Sequence, residues 1–231
     1  MIITIDGPAG AGKSTVSQKV ALKLGLNFLD TGALYRALAY SLDKNKVSPV
    51  PGDKLNKELK KMEVQLSDGL VLVNGTDVTK EIRSSYVDKI VSPYSALPRV
   101  RAHLLGLQRR QANYGKGIVA EGRDIGSVVF PKADVKVFLT ASVEERAMRR
   151  YKERLAKGKA AIYDEILLTM KERDKIDSTR EAAPLVKPEG AHLLDSSDMT
   201  EQQVVDEIVR IVMEKMADSN FTPEGSVQNV E

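Results

Sequence analysis

The sequence predicts a three-layer α/β/α fold in which helices cover both faces of a five-stranded parallel sheet. Five short apolar segments, each followed by turn or polar residues, have the character of buried strands. They are residues 2–6, 27–30, 117–121, 135–140 and 191–195. Segments with a helical spacing of apolar residues separate them, and this alternation is typical of a parallel sheet covered on both sides.

The predicted helices carry recognisable start and stop signals. Apolar residues recur at helical spacing over residues 13–24, and Gly25 is suited to end that helix. Two later helices open with a capping-box pattern, in which a hydroxyl residue precedes a glutamate or glutamine by three positions. The pairs are Ser142 with Glu145 and Thr200 with Gln203.

One region departs from the alternation of strand and helix. Between residues 63 and 78, short strand-like runs are separated by Asp68-Gly69 and by Asn74-Gly75. These dipeptides are strong signals for tight hairpin turns. We therefore expect three short antiparallel strands, inserted as a small lobe between the second and third strands of the main sheet.

The composition excludes several classes of protein. The chain has 231 residues, a net charge of +3 and no cysteine, so it has no thiol nucleophile, cysteine-ligated zinc site or disulfide. The charge is too small to indicate a nucleic-acid partner. No apolar run approaches the about 18 residues that span a bilayer, and the amino-terminal segment MIITIDG lacks the basic flank of a signal peptide. We expect a cytoplasmic protein without membrane contact and, since no long apolar heptad is present, a monomer.

The segment GPAGAGKS matches the Walker A pattern of phosphate-binding loops, or P-loops, between a predicted strand and helix. Glycines let the backbone amides turn inward around an anion, and the following helix adds its free amide donors. We expect Lys13 to reach the β- and γ-phosphates of ATP, and the Ser14 hydroxyl to bind Mg²⁺. The predicted ATP-binding loop comprises Gly7, Pro8, Ala9, Gly10, Ala11, Gly12, Lys13, Ser14 and Thr15.

Arginine-rich segments near strand ends and turns distinguish the chain from a GTPase. The [NT]-K-x-D run that reads guanine is absent, and so is a D-x-x-G switch. A phosphate-bearing acceptor would account for the arginines, since fixed guanidinium groups offset the repulsion between two polyanions. Such an acceptor needs little help from a general base, because its second pKa lies near about 6.

Four further motifs follow GPAGAGKST, namely DTGALYR, VSPYSALPRVR, EGRDIGSVVFP and RDKIDSTREAAPL. In this order, the set resembles the bacterial cytidylate (CMP) kinases, which are P-loop nucleoside monophosphate kinases. The resemblance runs from residue 1 to about residue 217, and Ser127 stands where the family has threonine. It implies ATP-dependent phosphorylation of CMP and dCMP to CDP and dCDP with release of ADP, in pyrimidine nucleotide metabolism.

The resemblance also assigns roles to individual residues. It implies that CMP contacts Thr31, Tyr35, Arg36, Ser92, Arg101, Arg123, Asp124, Asp177 and Arg180. Within that set, Arg36 and Arg123 are expected near the phosphate and Asp124 near the cytosine. The implied catalytic residues are Lys13, Arg123, Arg173 and Arg180. Arg146 and Arg150 are expected to reach ATP from a mobile lid.

The same resemblance predicts how the chain is divided. Residues 1–31, 98–145 and 176–217 would form the core, residues 32–97 the acceptor-binding insert, and residues 146–175 a short helical lid. The polar sequence from 218 to 231 predicts a flexible tail.

Several readings stay open at this point. Arg123 and Asp124 could be a structural ion pair, and Glu121 could either support Mg²⁺ through water or merely end its strand. The arginines at 146, 149, 150 and 154 share a helix face and could be solvated charge. The acceptor could be UMP or a hydroxy acid, and the preference between CMP and dCMP is not fixed. A non-catalytic nucleotide switch is the alternative from another class.

Overall fold

The structure, a computed structural model, describes residues 1–67, 69–112 and 117–219. Within these ranges the strands are β1 Ile2–Asp6, β2 Asn27–Asp30, β3 Val64–Ser67, β4 Leu70–Val73, β5 Thr76–Asp77, β6 Ile118–Gly122, β7 Val135–Thr140 and β8 His192–Asp195. Five of them form a parallel sheet in the order β2-β6-β1-β7-β8, and the other three form a separate antiparallel sheet. The predicted fold class is confirmed.

Helices fill the connections between the strands. They are α1 Lys13–Leu24, α2 Thr31–Lys44, α3 Asp53–Lys61, α4 Ser85–Ser95, α5 Pro98–Gln111, α6 Val143–Ala156, α7 Tyr163–Thr179 and α8 Glu201–Ser219. A 3-10 turn spans Glu81–Arg83, and a wide π-type turn spans Ile125–Val129. Helix α1 stops at Gly25, whose φ of 64° ends the helix as predicted.

The main sheet separates two apolar cores. Ile3, Ile5 and Val137 pack with residues of α1 and α8 on one face. The other core joins the sheet to α2, α4, α5 and the antiparallel strands, and it includes Leu34 and Leu38. This arrangement gives the sheet a helical layer on each side, as its near-continuous apolar strands require.

Strand register brings three acidic residues to one edge of the main sheet. Asp6 at the end of β1 pairs with Gly122 on β6, and Asp30 at the end of β2 pairs with Glu121. The carboxyl ends of parallel strands form the usual ligand-binding edge of an α/β sheet. The Walker A loop leaves the sheet at this edge, immediately after β1.

The antiparallel strands lie where the hairpin signals predicted them. β3 pairs with β4 and β4 with β5, and Asn74 and Gly75 have φ values of 50° and 76° in the second turn. Asp68 of the first turn lies outside the described residues. Within the segment from 32 to 97, Tyr94 joins α4 to the loop after α2, because its buried hydroxyl donates a 2.6 Å hydrogen bond to the carbonyl of Val47.

The carboxyl-terminal part of the chain is helical for longer than predicted. Helix α8 continues through residues 218 and 219, the first two positions of the predicted tail, and residues 220–231 lie outside the described residues. Within the ranges that the structure describes, no helix combines the length and apolar character needed to cross a membrane. The division into core, insert and lid stays a prediction.

Candidate active site

The loop between β1 and α1 has the tight backbone that a Walker A sequence requires. Gly7 passes so close to β7 that a Cβ atom there would lie 1.9 Å from the backbone oxygen of Leu139. Gly12 has a φ of 86°, in the left-handed region that favours glycine, just before α1 begins. The Lys13 ammonium donates a 2.8 Å hydrogen bond to the carbonyl of Pro8 and so closes the loop.

A hydroxyl and a carboxylate lie beside Lys13. The Ser14 hydroxyl donates a 2.5 Å hydrogen bond to Oε1 of Glu121, which is buried at the end of β6. Burial and the nearby Asp30 carboxylate raise the pKa of Glu121, whereas burial and the Arg123 guanidinium lower the pKa of Lys13. Hydroxyl and carboxylate oxygens are hard donors of the kind Mg²⁺ prefers, so this pair fits a magnesium ion carried by a nucleotide.

A polar pocket opens beside the carboxyl ends of β2 and β6. Its lining consists of Thr31, Gly32, Tyr35, Arg36, Val91, Ser95, Arg101, Arg123, Asp124, Arg173, Asp177 and Arg180. Of the nine residues predicted to contact the acceptor, all but Ser92 are in this set. The pocket therefore gathers, from segments far apart in the chain, five arginines and two aspartates.

Ser92 is buried, but it does not line the pocket, and its own carbonyl accepts a hydrogen bond from Ser95. Val91 and Ser95 contribute from α4 instead, because residues four apart share a helix face. Ser95 was not predicted as a site residue from the sequence. Its helical spacing of four from Val91 was the signal that could have indicated it. The role of Ser92 in reading a base stays a prediction.

Arg123 and Asp124 do not pair with each other. The hypothesis that they form a structural ion pair is therefore wrong. Arg123 donates a 2.9 Å hydrogen bond from Nε to Asp177, and Asp124 forms a buried ion pair with Arg101. Arg180 lies 3.7 Å from carboxylate oxygens of both aspartates. Burial opposes ionisation of Asp177, but the surrounding guanidinium groups hold its pKa below the ordinary value.

A carboxylate that the sequence did not single out joins two predicted substrate arginines. Asp88 of α4 accepts a 2.6 Å hydrogen bond from Arg36 and a 2.5 Å hydrogen bond from Arg150 of α6. Arg36 is held on its other side by the carbonyl of Ile82. Since the two arginines lie 52 and 62 positions from Asp88, no local pattern could have revealed the cluster.

Unlike the other four arginines of the pocket, Arg173 forms no ion pair within the described ranges, although Asp177 and Asp88 lie close enough for their charges to favour its ionised form. Its Nε is buried and has no hydrogen-bond partner among the residues that the structure describes. Burial, reinforced by the charges of Arg123 and Arg36, lowers the pKa of Arg173 to about 10. At neutral pH this guanidinium is still charged, so the pocket contains a positive charge that an incoming anion can offset.

Arg146 connects the predicted lid to the Walker A loop. Its guanidinium donates 2.9 Å hydrogen bonds to the carbonyls of Ala9 and Ala141 and a 2.7 Å bond to Asp174. Arg149 likewise binds the carbonyl of Ser196 at 2.5 Å. The solvated-charge reading of this helix face is therefore wrong for these two arginines, which are held by other segments.

Comparison with known proteins decides the family. The family profile described as cytidylate kinase matches residues 3–214. The chain belongs to the cytidylate kinase family. A cytidylate kinase of Caldanaerobacter subterraneus subsp. tengcongensis is 45% identical over 210 residues, which is 91% of this chain and 93% of that protein. A cytidylate kinase of Mycobacterium leprae is 40% identical over 215 residues, covering 93% of this chain and 96% of the relative.

Family membership makes the chain a nucleoside monophosphate kinase and confirms the resemblance drawn from its motifs. Among solved structures, a protein from Eubacterium ventriosum aligns with a TM-score of 0.52 at 13% identity, covering 92% of this chain and 98% of that one. At this identity the likeness concerns the fold alone. The roles of individual site residues come from the geometry described above and are taken up next.

Proposed function

We propose that this kinase transfers the γ-phosphoryl group of ATP to CMP, and also to dCMP, releasing ADP. The observation that carries the proposal is the Arg173 guanidinium, whose buried Nε has no hydrogen-bond partner among the described residues and which lines the same pocket as Arg36 and Arg123. Lys13 lies close enough to Arg173 and Arg123 for their charges to lower its pKa. Cations concentrated between a Walker A loop and a second pocket suit a reaction between two polyanions. We expect the enzyme to act as a monomer in the cytoplasm.

The acceptor pocket has groups for each part of a cytidine nucleotide. Arg36 and Arg123 would bind the phosphate, which their planar guanidinium groups suit. Asp124 would accept a hydrogen bond from the exocyclic amine of cytosine, and Arg101 would donate to a ring acceptor. Asp177 would contact the ribose. These assignments are supported by the common pocket that the five side chains line.

The donor site is the Walker A loop. Its amides and Lys13 would bind the β- and γ-phosphates, with Ser14 and the Glu121 carboxylate behind it holding the magnesium ion. When bound, that ion neutralises charge on the donor phosphates. Arg146 is already tied to the loop through Ala9, so it would act on ATP from a fixed position. Arg150 would approach only after leaving Asp88.

The reaction does not require a strong general base. A CMP phosphate is mostly dianionic at neutral pH, so an oxygen of that phosphate attacks the γ-phosphorus directly and displaces ADP. Arg173 and Arg180 would offset the charge that accumulates between the two nucleotides. An arginine acting in this way contributes about 10³–10⁵ in rate.

The test is ADP release in the presence of ATP, Mg²⁺ and one of CMP, dCMP, UMP, AMP or shikimate. We expect CMP and dCMP to be the best acceptors. A preference for UMP or for shikimate would overturn the proposal, and nucleotide binding without acceptor-stimulated ADP release would indicate a switch protein.

Single substitutions separate the two pockets. Arg36→Ala and Arg123→Ala should each lower kcat/KM for CMP by at least about tenfold, the equivalent of one charge-assisted hydrogen bond. The dissociation constant for ATP, measured by calorimetry, should change far less. An equal loss at both substrates would contradict the assignment of these arginines to the acceptor.

A further inference from the structure

The turn that carries Asp124 is fixed by a residue from another strand. At its start, the backbone amides of Ile125 and Gly126 donate hydrogen bonds of 2.7 Å each to the two carboxylate oxygens of Asp6. Asp6 is fully buried at the end of β1, and it precedes these amides by 119 and 120 positions. One carboxylate therefore satisfies the first two free donors of the turn.

The amide of the second residue of a helical turn, here Gly126, is ordinarily satisfied by the side chain of the residue that caps the turn. Asp124 occupies that position, and aspartate is among the best capping residues, yet its side chain makes no capping hydrogen bond. Its carboxylate instead forms ion pairs with Arg101 and Arg180 in the acceptor pocket. Asp6 thus performs the capping that would otherwise compete for the Asp124 side chain.

The turn also rests directly on β1. A Cβ atom at Gly126 would lie 2.8 Å from the Thr4 hydroxyl and 3.2 Å from Oδ2 of Asp6, so only glycine fits this approach without displacing the turn. The Thr4 hydroxyl itself has no hydrogen-bond partner within the described residues. Of these two residues of β1, it is therefore Asp6 whose side chain forms hydrogen bonds with the turn.

We propose that Asp6 is a positioning residue for acceptor recognition: by capping the turn from β1, it leaves Asp124 free to read the base. The inference rests on the proposed function, in which Asp124 meets the amine of cytosine. Asp6 is also followed directly by Gly7 of the Walker A loop. The same residue thereby joins the start of the donor loop to the turn of the acceptor pocket.

The test is Asp6→Asn, read out as the ratio of kcat/KM for CMP to that for UMP. Asparagine can accept a hydrogen bond from one of the two amides but presents its NH₂ group to the other. That amide is left without an acceptor, so we expect the Asp124 carboxylate to turn towards it and cap the turn. UMP carries an oxygen where cytosine has its amine, so loss of the Asp124 carboxylate favours UMP. We expect the ratio to fall by about tenfold or more, the equivalent of one hydrogen bond to a charged group.

Two comparisons isolate the mechanism. Thr4→Val changes a buried side chain of the same strand without touching the cap, and it should leave the ratio unchanged. Asp6→Asn should have no further effect on the ratio in an Asp124→Ala background, because it acts through Asp124. An unchanged ratio in Asp6→Asn, or an equal loss in both backgrounds, would overturn the inference and leave Asp6 a purely structural residue.

The role of Asp124 in the proposed function can be tested separately from the inference about Asp6. If Asp124→Ala leaves the CMP to UMP ratio at the wild-type value, Asp124 does not read the base, and the assignment of Asp6 falls with it. Should Asp6→Asn not fold, Gly126→Ala provides the same test with the Asp6 carboxylate intact. Its added Cβ moves the turn away from β1, and the ratio should fall only when Asp124 is present.

Discussion

Replacing Arg173 with methionine should make the ligand-free kinase more stable and nearly inactive. The Nε of Arg173 is buried and has no hydrogen-bond partner in the described part of the chain, and Arg36 and Arg123 line the same pocket. The lowering of its pKa to about 10 corresponds to about 3 kcal/mol of unfavourable burial and of repulsion from Arg123 and Arg36. Because part of the side chain reaches solvent, which screens this cost, we expect the free energy of unfolding to increase by about 1–2 kcal/mol.

The measurement is urea unfolding at neutral pH without nucleotide, paired with ADP release in the presence of CMP. For a chain of this length, a gain of 1 kcal/mol raises Tm by about 2–4 °C. We expect kcat to fall by about 10³–10⁵, because the charge at the transferring group is no longer offset.

Two matched variants complete that experiment. Arg173→Lys retains a positive charge and should bring no comparable gain in stability. Arg146→Met should instead destabilise the fold, since it removes hydrogen bonds to Ala9 and Ala141 and the ion pair with Asp174. The reasoning is refuted if Arg173→Met unfolds more easily than the wild type or keeps its kcat.

Three further substitutions have equally direct expectations. Gly7→Ala places a Cβ 1.9 Å from the Leu139 oxygen, so it should cost about 3 kcal/mol or more in urea unfolding; unchanged stability and ATP affinity would contradict that contact. Tyr94→Phe removes the hydroxyl that donates to Val47, and it should cost about 1 kcal/mol of stability while kcat stays unchanged in the same ADP-release assay. Burial raises the pKa of Asp6 from 3.8 to about 6, so its favourable contribution is complete below about pH 4 and is lost as the pH rises through 6. Between those values, the wild type should lose about 3 kcal/mol relative to Asp6→Asn in urea unfolding, and parallel pH curves would disprove the shift.

Local sequence patterns predicted most of the fold correctly. The two predicted capping boxes show where such patterns no longer predict the hydrogen bonds. At the start of α8, Thr200 and Gln203 form both hydrogen bonds of the predicted capping box, at 2.8 and 3.3 Å. At the start of α6, Ser142 accepts from the amide of Glu145, but the Glu145 carboxylate turns to Arg149 instead. The bond from the Glu145 amide to the Ser142 hydroxyl needs only groups within the first turn of the helix. The bond that the Glu145 carboxylate would form in return is lost because Arg149 competes for that carboxylate.

The candidate site also combines residues that the sequence motifs predicted with contacts that only the tertiary structure shows. Of the nine acceptor residues that the motifs named, eight line one pocket. DTGALYR and EGRDIGSVVFP begin at the ends of strands at the same sheet edge, whereas Asp177 and Arg180 reach the pocket from the end of α7. The motifs gave no sign of Asp88, which holds Arg36 and Arg150 together, or of the capping by Asp6. Both involve side chains whose partners lie far away in the chain.

The sequence by itself determined the parallel sheet, the Walker A loop, the hairpins of the insert and the set of charged residues around the pocket. The sheet, the loop and the hairpins depend on apolar periodicity, turn residues and spacing within a few positions, all of which are present in the chain before it folds. The set of charged residues followed instead from the resemblance of the motifs to the family. Only the tertiary structure decided which carboxylate faces which guanidinium and which one caps the Asp124 turn. The reason is that β1 lies beside β6 in the order β2-β6-β1-β7-β8, and this adjacency places Asp6 against amides 119 and 120 residues away.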